Sequence, residues 1–62
     1  MAVTVPAGKA TYTVNQNDAG ISANKNDVVF IEGYAYGMAL VVRVSDGVVD
    51  EVPVKYLSAV EA

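Results

Sequence analysis

Sixty-two residues make one small domain. The absence of cysteine and histidine excludes disulfides, thiolate catalysis, Cys-based zinc sites and the commonest general base and metal ligand. The net charge of −3 includes only four cations, Lys9, Lys25, Arg43 and Lys55, scattered along the chain, so the clustered positive surface that tracks nucleic-acid phosphates is not expected. No apolar stretch approaches the roughly 18 residues that span a bilayer, so no membrane role is expected.

Five strand candidates come in chain order. Ala2 to Val5 alternates and is closed by the turn signal Pro6-Ala7-Gly8. Lys9 to Val14 alternates Ala10, Tyr12 and Val14 against Thr11 and Thr13, a half-buried pattern rich in β-formers. Asn15 to Gly20 is a polar loop, and Asn24-Lys25-Asn26-Asp27 is a turn whose Asn and Asp side chains tolerate left-handed backbone and bond their own main chain. The strand Val28 to Glu32 follows, then a glycine-bounded loop, Gly33-Tyr34-Ala35-Tyr36-Gly37. Met38 to Val44 is the longest strand, and Ser45-Asp46-Gly47 turns it into Val48 to Val52. The Asp-Gly step between valine-rich runs is the strongest hairpin signal in the chain. After Pro53, Val54 to Leu57 can form one helical turn. No stretch of ten or more residues carries a helical stripe, so the fold class is all-β, a small barrel or sandwich.

The apolar residues sit side by side: Val28-Val29-Phe30-Ile31, Ala39-Leu40-Val41-Val42 and Val48-Val49. Neighbours on a strand point to opposite faces, so such runs need cover on both. A domain this short buries only about 60% of its unfolded surface. Without disulfides or metals, oligomerisation is the remaining support. Hydrophobic residues make up 53% and charged residues only 18%, below the roughly 25–35% charge usual on the surface of a solitary mini-domain. These features point to a module completed by a partner. Met1 to Pro6 has neither the basic start nor the apolar core of a signal peptide, so the chain is expected in the cytoplasm or a virion.

The order of features resembles a Src-homology-3 domain from about Lys9 to Leu57. Ala10-Thr11-Tyr12-Thr13-Val14 sits where that family has Ala-Leu-Tyr-Asp-Tyr. Ile21 to Ile31 is similar to its diverging turn and following apolar strand, with Asn26 at the expected glycine. Val52-Pro53-Val54-Lys55-Tyr56-Leu57 is similar to its closing Val-Pro-Ser-Asn-Tyr-Val, which makes a helical turn and a last strand. The resemblance implies a five-stranded barrel. It also implies an aromatic groove for proline-rich peptides, with Tyr12, Pro53 and Tyr56 at groove positions. That groove is degenerate. Val14 replaces its second tyrosine, its tryptophan falls near Met38 to Leu40, and the acidic loop that selects basic ligands is reduced to Asp18.

The seven carboxylates are Asp18, Asp27, Glu32, Asp46, Asp50, Glu51 and Glu61. Asp50 and Glu51 are strand neighbours facing opposite ways, and Asp18, Asp27 and Asp46 sit in turns where Asp caps backbone. Gly33-x3-Gly37 lacks the lysine and helix of a phosphate loop. No catalytic residue, metal site or cofactor is expected. Tyr34 and Tyr36 offer large contact area at low entropy cost, an interface device; the alternative is that they cap the barrel end with inward-packed rings. Tyr12 and Tyr56 are expected to close the barrel wall. Arg43, among valines, reads either as an edge charge that blocks strand addition or as an interface ion-pair partner.

The expected function is a non-enzymatic structural or protein-interaction module that self-associates or docks on a larger assembly, such as a virion accessory or decoration protein. The competing readings are an adaptor binding a proline-rich or other peptide through Tyr12, Pro53 and Tyr56, and a designed barrel selected only for folding.

Overall fold

The computed structural model describes residues 3–60. Five antiparallel strands, β1 Thr11–Val14, β2 Val28–Ala35, β3 Met38–Arg43, β4 Val49–Pro53 and β5 Leu57–Ala59, form a single sheet in the order β4-β3-β2-β1-β5. A 3-10 turn, Val54–Tyr56, joins β4 to β5. The chain is all-β, as expected.

Alternation and turn chemistry account for the strands. In β1, Val14 is wholly buried, and its amide and carbonyl bond Asp27 and Asn26, closing the 15–26 loop at its base. That closure requires a left-handed residue, and Asn26 supplies it at φ 76°. The β3–β4 hairpin is closed by the Gly47 amide donating to Arg43 and the Arg43 amide donating to Val48. Gly47 is left-handed at φ 76°, and a Cβ there would lie 2.8 Å from Val3 Cγ2.

The pairing register turns β2, β3 and β4 into a two-faced grid. Inward lie Val29 beside Arg43, then Ile31, Val41 and Asp50, then Tyr34, Ala39 and Val52. Outward lie Phe30, Val42 and Val49, then Gly33, Leu40 and Glu51, then Ala35, Met38 and Pro53. The inner face joins Val14, Ala19 and Ala23 in the main core, against which Tyr12, Tyr56 and Leu57 pack. Glu32 is an extra residue between the Ile31–Val41 and Gly33–Leu40 pairs. This bulge reverses the alternation and moves Tyr34 to the inward side.

The outer face is covered over one row only. Phe30 and Val42 are buried although they lie outside the main core. The segment before β1 is tied down as a strap beside these strands. At one end the Val3 amide donates to the Val44 carbonyl; at the other, Lys9 Nζ donates to the Ile31 carbonyl at 3.0 Å.

Several boundaries differ from the sequence expectation. Ala2 lies outside the described residues, and Val3–Val5 form the strap rather than a strand. β2 runs on through Gly33 to Ala35, so the expected glycine-bounded loop shrinks to Tyr36-Gly37. The expected Lys9, Val44 and Val48 strand ends fall just outside β1, β3 and β4, and the helical turn stops at Tyr56, after which β5 forms. The residue pattern did not single out β5, since Ser58, Ala59 and Val60 are exposed, although a last strand is what the resemblance implies. Arg43 is on an interior strand, so it guards no sheet edge.

Two stability outcomes follow. Val41→Ala removes two methyl groups from a fully buried site and is expected to cost about 2–3 kcal/mol, a large share of the roughly 3–9 kcal/mol available to a chain this short. Asn26→Gly is expected to be neutral or stabilising by up to about 1 kcal/mol, and Asn26→Val destabilising by more than about 1 kcal/mol. Urea-unfolding midpoints check both, and equal midpoints for the two Asn26 variants would contradict the left-handed assignment.

Candidate interaction surface

The β2–β3 hairpin ends in a two-residue turn with both central residues left-handed, Tyr36 at φ 53° and Gly37 at φ 76°. Such turns match the twist of the flanking strands and normally carry Asn, Asp or Gly first. A tyrosine there carries a conformational cost, and Tyr36 recovers none of it by packing, because its side chain is fully exposed at 105%. Tyr34 is 65% exposed. The alternative of inward-packed rings therefore does not describe Tyr36. Tyr34 lines a shallow groove with Gly8, Lys9, Ala10, Tyr12 and Ile31. Partial cover, then the adjacent Tyr12 phenol, raise the pKa of its own phenol.

The sequence-predicted residues fall into two neighbourhoods. Tyr12 and Tyr56 are half-buried and pack on the core, with Lys55 Nζ 5.2 Å from the Tyr56 ring centre. Met38 and Pro53 are cross-strand partners on the outer face. The turn at Tyr36 adjoins them because the Val54 amide donates to the Gly37 carbonyl at 3.0 Å. Ile21, 99% exposed, lines a depression with Met38, Leu40, Val49, Glu51 and Pro53. No tryptophan stands at Met38 to stiffen a proline groove.

The polar residues hold the 15–26 loop in place. Arg43 donates to Asp46 through Nε at 2.9 Å and Nη2 at 2.6 Å, and through Nη1 to the Ser22 carbonyl at 2.8 Å and Asp27 at 3.2 Å. The bidentate bond and the second carboxylate raise the Arg43 pKa, and the same guanidinium, with the Val48 amide, lowers Asp46 to about 2. Arg43 is thus an internal clamp rather than an edge charge or a free interface partner. Asp50 accepts from three consecutive amides, Ile21, Ser22 and Ala23, at 3.1, 2.8 and 2.9 Å. Burial pushes the Asp50 carboxyl up, but these donors and the Glu51 amide outweigh it and leave the pKa lowered. Gly20 permits this approach, since a Cβ there would lie 2.5 Å from Asp50 Oδ2. Asp27 caps the Asn24 amide, while at Asp18 the residue's own amide donates to Asn24 Oδ1.

Asp27, Asp46 and Asp50 are thereby engaged with backbone or Arg43, and among the described residues no three acidic side chains gather into a metal-holding group. No helix among them is long and apolar enough to cross a membrane. No family model matches the chain, nor does any curated protein or solved structure.

Sequence reasoning missed the Asp50 clamp and the open row of Gly33, Leu40 and Glu51. A single Asp in a strand gives no sign of which amides will face it. The row exists only once register aligns three strands.

Tyr36→Asn is expected to raise unfolding stability by about 0.5–1 kcal/mol, because it relieves left-handed strain and removes no packing; a destabilised variant would show that the ring supports the fold. Asp46 and Asp50 both have folded pKa values below their ordinary 3.8. Their stabilisation is complete above that value and is lost as pH falls through the folded values. Melting temperature should therefore hold from neutral to about pH 5 and then drop toward pH 2, and Asp50→Asn should lower it at neutral pH and flatten the acid slope. An acid slope unchanged in Asp50→Asn would contradict the clamp.

Proposed function

We propose that this chain is a non-enzymatic, Src-homology-3-like interaction module that docks on a larger protein assembly through the β2–β3 hairpin tip and the sheet face beside it. The observation that carries this reading is Tyr36, a large aromatic held in strained backbone with no packing role. Residues that cost stability without serving the fold tend to serve a contact, and tyrosine is among the side chains that dominate interface energies. An accessory protein of a virion-like shell is the concrete role that suits so small and charge-poor a module. The strand order, the 3-10 turn before β5 and left-handed Asn26 are consistent with the barrel family.

The peptide-adaptor reading draws support from Tyr12 and Tyr56, which lie half-buried on the core as groove walls would. It is the weaker reading because Met38 is no substitute for a flat, rigid indole.

Gradient sedimentation of the tagged full chain from its host tests the proposal. The wild-type chain is expected to travel with a particle far heavier than its own 6.5 kDa, and Tyr36→Asn to shift at least about tenfold more of it to the monomer position, as loss of a hot spot would. A wild-type chain that stays at the monomer position overturns the reading.

A further inference from the structure

Of the nine cross-strand-paired positions on the outer face of β2–β3–β4, Glu51 is the single charged one, the exposed bulge residue Glu32 standing outside the ladder. In the first row Phe30 and Val42 are buried, while Val49 at its end is 59% exposed. The remaining rows, Gly33–Leu40–Glu51 and Ala35–Met38–Pro53, are partly open: Ala35, Leu40 and Glu51 are exposed, Leu40 at 42%, and Gly33, Met38 and Pro53 are half-buried. Nothing lies within 4 Å of where a Gly33 side chain would begin, so a depression runs beside the Leu40 ridge, bounded also by Tyr34 and Glu51. Among the described residues the ion pairs are those of Arg43 with Asp27 and Asp46, which leaves the Glu51 carboxylate without a cationic partner.

We propose that these two open rows bind one extended apolar segment of a different protein, and that the segment carries a central arginine or lysine that pairs with Glu51. This deepens the docking reading above and rests on it.

Two arguments select this occupant over a second copy of the chain. The first is size. The rows span about 10 Å across the strands and about 7 Å along them. With side-chain margins the two rows are on the order of 200 Å2, and even with the adjoining Ile21 and Val49 the face stays under the roughly 800 Å2 per partner that a stable pair buries. About five extended residues at 3.4 Å each cover it. The second is charge. A two-fold contact centred on Leu40 sets Glu51 either against Glu51 of the copy, where like charges repel, or over its Gly33, where the carboxylate is covered without a cation. A cation on an apolar segment satisfies both the carboxylate and its surroundings.

The test titrates the isotope-labelled full chain with Ac-Leu-Thr-Arg-Thr-Leu-NH2, whose alternate residues present Leu, Arg and Leu on one side, and with the same peptide bearing Glu at the centre. The arginine peptide is expected to shift the amides of Gly33, Leu40 and Glu51 and to bind about fivefold more tightly than the glutamate peptide, the upper range for an exposed ion pair. Glu51→Gln should abolish that preference. Gly33→Leu should fill the depression and weaken the arginine peptide while leaving the spectrum folded. The proposal is overturned by shifts centred on Tyr12 and Tyr56, by equal binding of the two peptides, by no binding, or by a Glu51→Gln chain whose sedimentation becomes concentration-dependent. Peptide failure with co-sedimentation intact removes this inference alone, whereas peptide binding without co-sedimentation removes the docking reading.

Discussion

The β2–β3–β4 part of the sheet is apolar on both faces and has to be covered twice, and a chain of 62 residues has material to do so only in part. Val29, Ile31, Val41 and Val52 are covered from within by β1, the 15–26 loop and the side chains of Tyr12, Tyr56 and Leu57. Phe30 and Val42 are buried on the outer face, beside which the strap is tied. Leu40, Val49 and their neighbours are left open, and the hairpin tip with its strained tyrosine stands beside them. The consecutive apolar runs are thus answered by the chain itself at Phe30 and Val42 and only in part at Val49 and along the two further rows.

Inner cover depends on polar contacts made where the loop meets the sheet. The 15–26 loop contributes only two small residues to the core, Ala19 and Ala23, too little apolar area to hold it by burial alone. Asp50 and Arg43 instead bind its backbone from β4 and β3, and Gly20 lets it come close enough. Committing Arg43, Asp27, Asp46 and Asp50 to these internal contacts leaves an already charge-poor surface poorer still, which makes Glu51, the one charge within the paired outer rows, conspicuous.

Much of the strand pattern was legible in the residues, because alternation, β-branched composition and Asp-Gly turn chemistry act locally. Asn26 could be flagged as a left-handed position from its type and its place in the resemblance. The boundaries that slipped depend on distant partners. Gly33 to Ala35 reads as loop in isolation and becomes strand because Met38 to Leu40 pair with it. Ser58 and Ala59 become strand because Thr13 and Tyr12 lie opposite. Among the candidate residues, Tyr36 was legible as an exposed aromatic, but its strain was not, since a tight turn there needs β2 to reach Ala35.

By itself the sequence determined an all-β chain, free of cysteine and histidine chemistry, with turns at Asn26 and Gly47 and more adjacent apolar side chains than one sheet face accepts. Each of these follows from covalent identity and nearest-neighbour geometry. Only the tertiary structure decided which face each side chain takes. The single extra residue at Glu32 reverses the alternation of β2, sends Tyr34 inward and lines Gly33 up with Leu40 and Glu51. Side-chain direction along a strand has period two, so one inserted residue anywhere upstream exchanges the faces, and whether the insertion occurs is settled by pairing with residues far away in the chain.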